Sequence, residues 1–315
     1  MGSVNSPRWI SHRGYCKHEV ENTLGAFDEA VNLGFDRIET DLRVSKDNQI
    51  VLCHDETPLR LGGPDKKVQS LTKAELQKID LKYYTKLVFF DDFVNRYCAK
   101  DWIFDIKAET GAETVAALKE WAEYNEGHKL LTSQAWFLFW DPAHEKLLQE
   151  FLPNANILAN EKQCWRAGLS LYAGMSFLGG FKKGGTYTLP PTTFKKNFFT
   201  KKIVDKIHKY KAKALAFLPK TEEETEQAIK AGFDYIITDH PPVRPRRVFS
   251  PSRPPFSDNR RGGPRSFDNK GGQNRRPYDN NRSGGQNRRP YDKNRSGGQN
   301  KRPYDNRNSN RKPSR

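Results

Sequence analysis

Short apolar runs alternate with amphipathic stretches of helical period from Arg8 to Thr238, and no other feature of the chain constrains its fold as tightly. Extended runs are read at 8–12, 35–41, 49–53, 102–106, 135–140, 156–159, 212–218 and 234–238, with a weaker one at 187–189. Asn22 or Thr23 can cap a helix through Leu24, Phe27, Ala30 and Val31 that stops at Gly34. Thr72 with Glu75, and Thr221 with Glu224, have capping-box spacing. Further helices are expected at 113–124, 144–151 and 203–210. Strand and helix alternating about eight times predicts an α/β chain folded as a (β/α)8 TIM barrel over residues 8–243. The stretch 163–183 has the weakest pattern, and a doubly wound sheet is the alternative architecture.

Past Pro241-Pro242 the composition changes to Pro, Arg, Gly, Asn, Asp and Ser. The string Gly271-Gly272-Gln273-Asn274-Arg275-Arg276-Pro277-Tyr278-Asp279 recurs from Gly284 and, with Lys301 for the first Arg, from Gly297, a period of 13 residues. One tyrosine per repeat offers no apolar face to stack, so 244–315 is expected to be a disordered basic tail. Of the chain's 54 Lys and Arg and 38 Asp and Glu, 21 and 5 lie in that tail, which leaves 33 of each in 1–243. The net charge of +16 therefore belongs to the tail and gives no reason for the body to bind nucleic acid. Within the tail, Arg and Lys interleaved with Tyr278, Tyr291 and Tyr304 suit RNA or another polyanion as partner.

Cys16, Cys53, Cys98 and Cys164 show neither paired nor metal-site spacing, which suits reduced thiols and a cytoplasmic location. No apolar run reaches the roughly 20 residues that span a bilayer. Met1-Gly2-Ser3-Val4-Asn5-Ser6 lacks the apolar core of a signal peptide and matches a loose myristoylation pattern.

Four strings in the first 57 residues concentrate the chemistry: Ser11-His12-Arg13-Gly14, Glu21-Asn22-Thr23, Glu39-Thr40-Asp41 and His54-Asp55-Glu56-Thr57. Glu39 and Asp41, two apart in a strand, leave the same face roughly 6.5 Å apart along the chain. At the C-terminal end of a barrel strand they face the mouth, where they suit one hard divalent cation, Mg2+ or Ca2+. Asp105 and Lys107 share a strand face in the same way. They read as a buried ion pair or as a third metal ligand beside a second phosphate contact. His12 and His54 suit a general acid and a general base for breaking a phosphodiester. Arg13 can grip phosphate oxygens, and Gly14 lets the loop turn beside it. Glu21 and Asp55 are read as braces rather than ligands.

These strings resemble the glycerophosphodiester phosphodiesterase family, a PI-PLC-like TIM barrel whose sequences open with H-R-G, E-N-T, E-x-D and H-D in this order. The resemblance runs from about Trp9 to Pro241 and includes Asp41-Leu42-Arg43-Val44-Ser45-Lys46-Asp47 and the closing Thr238-Asp239-His240-Pro241. It implies metal-dependent hydrolysis of a small phosphodiester to glycerol 3-phosphate and an alcohol, with the two histidines acting around a metal-bound phosphate. Two departures stand out. The family's E-x-K is Asp105-x-Lys107 here, as in sphingomyelinase D-like members. Ala216-Phe217-Leu218-Pro219 replaces the frequent W-T-V-N, keeping an aromatic pocket residue, Phe217, without its polar partner. A lysophospholipase D-type lipid diesterase is the alternative within the family, with Phe137, Phe139 and Trp140 as candidates for an exposed apolar mouth or, equally, for core packing. A polyanion-binding protein led by the tail is the alternative outside it.

Overall fold

Eight parallel strands carry the alternation into space: Arg8–His12, Arg37–Val44, Asp101–Ile106, Ala135–Phe139, Asn156–Ile157, Thr186–Leu189, Lys213–Phe217 and Tyr235–Thr238. A computed structural model describes residues 6–193 and 195–243. The expectations for the tail 244–315 and for the N-terminal string fall outside those residues. The eighth strand pairs with both the first and the seventh, and the others follow in chain order, as a right-handed βαβ succession requires. Across the remaining gap, between fifth and sixth strands, the Ala159 N–H donates to the Thr186 carbonyl at 3.1 Å. The fold is a (β/α)8 barrel.

Strand parity sorts the side chains into layers. Inward positions begin at the N-terminal end with Arg37, whose guanidinium lies 3.7 Å from the Trp136 ring centroid and pairs with Asp101 at 3.0 Å. Trp136 in turn meets Tyr235 edge to face at 4.9 Å. Above this plug sits an aliphatic layer of Ile10, Ile103, Leu158, Leu215 and Ile237, packed against Leu138. Two residues further along the same strands come His12, Asp41, Asp105 and Phe217, the polar layer at the mouth. Outward positions such as Ile38, Trp102, Phe104 and Phe137 pack under the helices in the larger core.

The capping signals resolve individually. Thr23 is the N-cap of Leu24–Leu33, and Gly34 closes that helix in the left-handed region at φ 81°. Asn22 is released for another task. Thr72 and Glu75 form both halves of their box. Thr221 accepts the Glu224 N–H at 3.2 Å, but the Glu224 carboxylate accepts the Lys220 N–H at 2.6 Å, so the second box is only half made. The weakly patterned stretch holds the helix Glu161–Tyr172 and a short turn, Ser176–Leu178. The run at 49–53 is no barrel strand. Ile50–Leu52 returns antiparallel to the second barrel strand and opens an excursion with a small apolar core of its own, including Val51, Leu61, Leu76, Leu81 and Phe89.

Trp102 is fully buried, stacks on Phe104 at 5.7 Å and donates its indole N–H to the Tyr97 carbonyl at 3.1 Å. Trp102→Ala is expected to lower unfolding stability by about 3–5 kcal/mol in a denaturant titration, the range for emptying a site of that size.

Candidate active site

Three carboxylates converge at the mouth of the barrel. Glu39, Asp41 and Asp105 each offer an oxygen within 4.8 Å of the others, and all three are buried. The second and third strands pair in register there, with Asp41 opposite Asp105. The Lys107 ammonium lies 2.7 Å from Asp41 and 2.5 Å from Asp105. Asp105 also accepts the Trp140 indole N–H at 2.7 Å. Asn22, freed from capping, donates to Asp41 at 2.8 Å and accepts from the Thr40 hydroxyl at 2.7 Å.

Charge decides how these groups titrate. Burial and the neighbouring Asp41 push the Glu39 carboxyl up to about 8. Burial alone would raise Asp41, but Lys107 and Arg13 beside it hold it below its ordinary value. Burial outweighs the Lys107 contact at Asp105 and raises it. Three oxygen donors in a buried site that resists a second negative charge fit a hard divalent cation.

Arg13 joins this cluster to the second histidine. Its backbone turns left-handed at φ 59°, followed by Gly14 at φ 87°. A Cβ on Gly14 would stand 2.7 Å from Ala26, so the tight approach of this loop to the first helix requires glycine. The turn sends the Arg13 N–H to the Glu39 carboxylate at 3.0 Å. Its guanidinium lies 3.3 Å from Asp41 and donates to Glu21 at 3.1 Å. Glu21 accepts from Arg60 at 2.6 and 2.7 Å, and Arg60 donates to Asp55 at 2.7 Å. Asp55 lies 2.7 Å from His54 Nδ1. Opposite charges thus alternate from Asp105 through Lys107, Asp41, Arg13, Glu21 and Arg60 to Asp55.

Each histidine is oriented by a carboxylate at Nδ1, which leaves Nε2 as the free ring nitrogen. For His54 this is Asp55, while Arg43 donates twice to the His54 carbonyl, at 2.8 and 3.1 Å. For His12 it is Asp239, at 2.9 Å, from the end of the eighth strand. Burial lowers the His12 imidazolium's pKa, but the Asp239 hydrogen bond and the nearby Glu39 outweigh it and hold the value above the usual one.

His12, Arg13, His54, Lys107 and Phe217 all line one cavity of about 450 Å3 with the carboxylates, so the residues singled out in the sequence are gathered at one place. Of the three aromatics that are candidates for an exposed mouth, Phe137 and Phe139 are buried and only Trp140 is exposed. Parity explains the difference, since 137 and 139 pack in the core under the helices and 140 does not, although Phe139 also borders the cavity. Burial pushes the Cys16 and Cys53 thiols up to about 12, which favours the protonated thiol over the nucleophilic thiolate. Sequence reasoning missed Asp239, Arg43, Arg60 and the role of Asn22. Asn22, Arg43 and Asp239 each stood in a recognisable string, but none carried a site assignment there, and Arg60 stood in none.

A raised carboxyl is a linkage statement. Glu39 keeps its proton in the folded state to a higher pH than when unfolded, so it costs stability as pH rises from about 4.5 to about 8. Without added metal, Glu39→Gln is therefore expected to raise Tm at pH 8 and not at pH 4. A gain of 1 kcal/mol corresponds to roughly 2–4 °C in a domain of this size. Thermal scans with and without Mg2+ or Ca2+ check this, and added cation should stabilise only the parent protein.

Comparison with known proteins agrees with the geometry. Residues 12–164 match the model of the glycerophosphoryl diester phosphodiesterase family. The glycerophosphodiester phosphodiesterase of Caldanaerobacter subterraneus subsp. tengcongensis is 28% identical over 250 residues, covering 74% of this chain and 93% of that protein. Human Lysophospholipase D GDPD1 is 38% identical over 78 residues, which is 24% of this chain and 25% of that protein. Among solved structures, the glycerophosphoryl diester phosphodiesterase domain of a Mycobacterium tuberculosis protein superposes with a TM-score of 0.64 at 14% identity, covering 75% of this chain and 97% of that one. The Thermotoga maritima glycerophosphodiester phosphodiesterase superposes with a TM-score of 0.55 at 24% identity, covering 74% and 94%. The barrel, the ordered strings along it and the family match agree: residues 12–164 belong to the glycerophosphoryl diester phosphodiesterase family, within a barrel that continues to Thr238.

Proposed function

We propose that the protein hydrolyses glycerophosphodiesters to glycerol 3-phosphate and an alcohol, with Glu39, Asp41 and Asp105 holding one divalent cation. The observation that carries this reading is the meeting of three buried carboxylates with two carboxylate-oriented imidazoles in one cavity. Mg2+ or Ca2+ suits the all-oxygen donor set and, when bound, supplies charge neutralisation for the phosphodiester. Arg13 and Lys107 are the protein's cations for the phosphate oxygens, and both already sit at Asp41. The Asp239 contact favours the protonated form of His12, which suits donation from Nε2 to the departing alkoxide. His54 then takes the proton of the attacking oxygen at its own Nε2. Phe217 and the aliphatic lining offer the departing alcohol an apolar wall, while the attacking water enters on the side of His54.

A lipid-bearing diester is the second reading, favoured by how apolar that lining is: Leu138, Leu158, Leu189 and Leu215 stand below Phe217 and Trp140. The similarity to human Lysophospholipase D GDPD1 supports it. A polyanion-binding role for residues 244–315 rests on composition alone, with 21 basic residues against 5 acidic ones.

Purified protein with Mg2+ or Ca2+ is expected to release glycerol 3-phosphate from glycerophosphocholine or glycerophosphoethanolamine, and EDTA to stop it. His12→Ala and His54→Ala should each lower kcat by about 10²–10⁴-fold. No release with either metal, from these substrates or from lysophosphatidylcholine, would refute the assignment. The pH profile separates the histidines. A donor held protonated loses activity as pH rises through its pKa, so Asp239→Asn should move the alkaline limb of kcat/KM to lower pH. An unmoved limb would assign the donor to another group.

A further inference from the structure

The charge balance of residues 1–243 hides one strongly one-sided segment. From 162 to 204 the chain carries eight Lys and Arg residues and no Asp or Glu, whereas the rest of 1–243 holds 25 basic and 33 acidic residues. All eight are exposed. Among the described residues, Lys201 alone of the eight forms an ion pair, with Asp205 at 2.6 Å.

The same segment bears the largest group of exposed apolar side chains. The helix Glu161–Tyr172 buries Ala167 and Leu171 against the barrel and turns Trp165, Leu169 and Tyr172 outward, at the i, i+4, i+7 spacing of a single stripe. These three also line the mouth of the active-site cavity. The chain continues from Tyr172 into the turn Ser176–Leu178, where Met175, Phe177 and Leu178 are exposed, Phe177 to 72% and Leu178 to 54%. Lys182, Lys183, Lys195 and Lys196 follow, and the Lys196 ammonium sits 4.6 Å from the Tyr172 ring centroid while donating to the Tyr172 carbonyl. Glu161, at the start of the helix, accepts the Trp165 indole N–H at 3.3 Å and is the one acid of this helix and turn. Exposed aromatic and aliphatic tips framed by an excess of Lys and Arg are the composition of a surface that lies in a membrane interface.

We infer that this face, the helix Glu161–Tyr172 with the turn after it, docks on an anionic lipid surface and sets the mouth of the cavity against it. Charge complementarity selects the occupant. A second copy placed face to face would set eight cations against eight, and the tail is itself cationic, whereas anionic headgroups match the rim and acyl chains match the apolar tips. Continuity supports the same choice, because Trp165, Leu169 and Tyr172 belong both to the docking face and to the cavity wall. The inference extends the phosphodiesterase reading to lipid diesters drawn from a surface, but docking itself needs no turnover.

Sedimentation of the full-length protein with vesicles tests it. Vesicles of phosphatidylcholine alone are compared with an equimolar mixture of phosphatidylcholine and phosphatidylglycerol, at about 0.15 M and about 0.5 M NaCl, where screening shortens from roughly 8 Å to about half that. The protein is expected to bind the mixed vesicles and to keep measurable binding at the higher salt, through the apolar tips. Phe177→Ser with Leu178→Ser should weaken that salt-resistant binding by about tenfold or more. Lys182→Glu with Lys183→Glu should weaken binding mainly at low salt. Tyr124→Ser, a change at an exposed aromatic outside this segment, should leave both unchanged. Absence of vesicle binding overturns the inference. So does binding by both double variants equal to the parent, which would assign the attraction to residues 244–315. So does salt-sensitive binding to RNA in place of vesicles. Hydrolysis of soluble glycerophosphocholine, measured on the same proteins, keeps the two readings apart. Turnover without docking overturns this inference alone, and docking without turnover overturns only the phosphodiesterase assignment.

Discussion

The Lys107 ammonium between Asp41 and Asp105 is the contact on which the rest of this molecule depends. Two carboxylates pointing into a barrel from adjacent strands, in register, would repel at short range in a medium that screens poorly. Lys107 and Arg13 both lean on Asp41, and Glu39, buried beside that carboxylate, holds its proton far above the ordinary range. A site kept short of positive charge is a site prepared for a cation. The barrel tolerates it because the cost is spread along a chain of alternating charges that ends at Asp55, near the surface.

That chain also explains why the carboxylates and the two imidazoles hold together. His54 does not come from a barrel strand. It is carried by the excursion after the second strand, and Arg43, Asp55 and Arg60 fasten it to the mouth. His12 comes from the first strand and is held from the other side by Asp239. The imidazoles therefore reach one cavity from different structural sources, each with a carboxylate behind it. Below them an aliphatic layer separates the polar mouth from the Arg37, Trp136 and Tyr235 plug. Polar groups thus occupy the two ends of the barrel, where strand termini leave room for partners.

Much of this was legible in the chain. Alternation of strand and helix announced the barrel, and the two-residue spacing of Glu39 with Asp41 and of Asp105 with Lys107 announced shared faces. What stayed hidden was pairing across long separations. Asp239 meets His12 across 227 residues, and no local pattern marks such a contact. Asn22 looked like a helix cap because caps and buried amide donors use the same residue type, and only the fold tells them apart. For Phe137, Phe139 and Trp140 the sequence left mouth and core equally open, and the fold divides them. A single step along a strand reverses the face, so an apolar run read without its parity says nothing about exposure. The capping box at Thr221 failed on one side for a related reason: a flexible glutamate can choose between two adjacent backbone donors, and spacing does not rank them.

The excursion's separate apolar core has a consequence for how the enzyme would lose function. Val51, Leu61, Leu76, Leu81 and Phe89 pack among themselves, beside but distinct from the large core under the barrel helices. Such a cluster can open as a cooperative unit of its own, below the free energy of global unfolding. Opening it would withdraw His54, Asp55 and Arg60 together while the three carboxylates stay in the barrel. Under mild denaturant the molecule would then keep the carboxylate cluster proposed to hold a cation after the proposed acid–base pair is broken, and the two halves of one site would melt at different points.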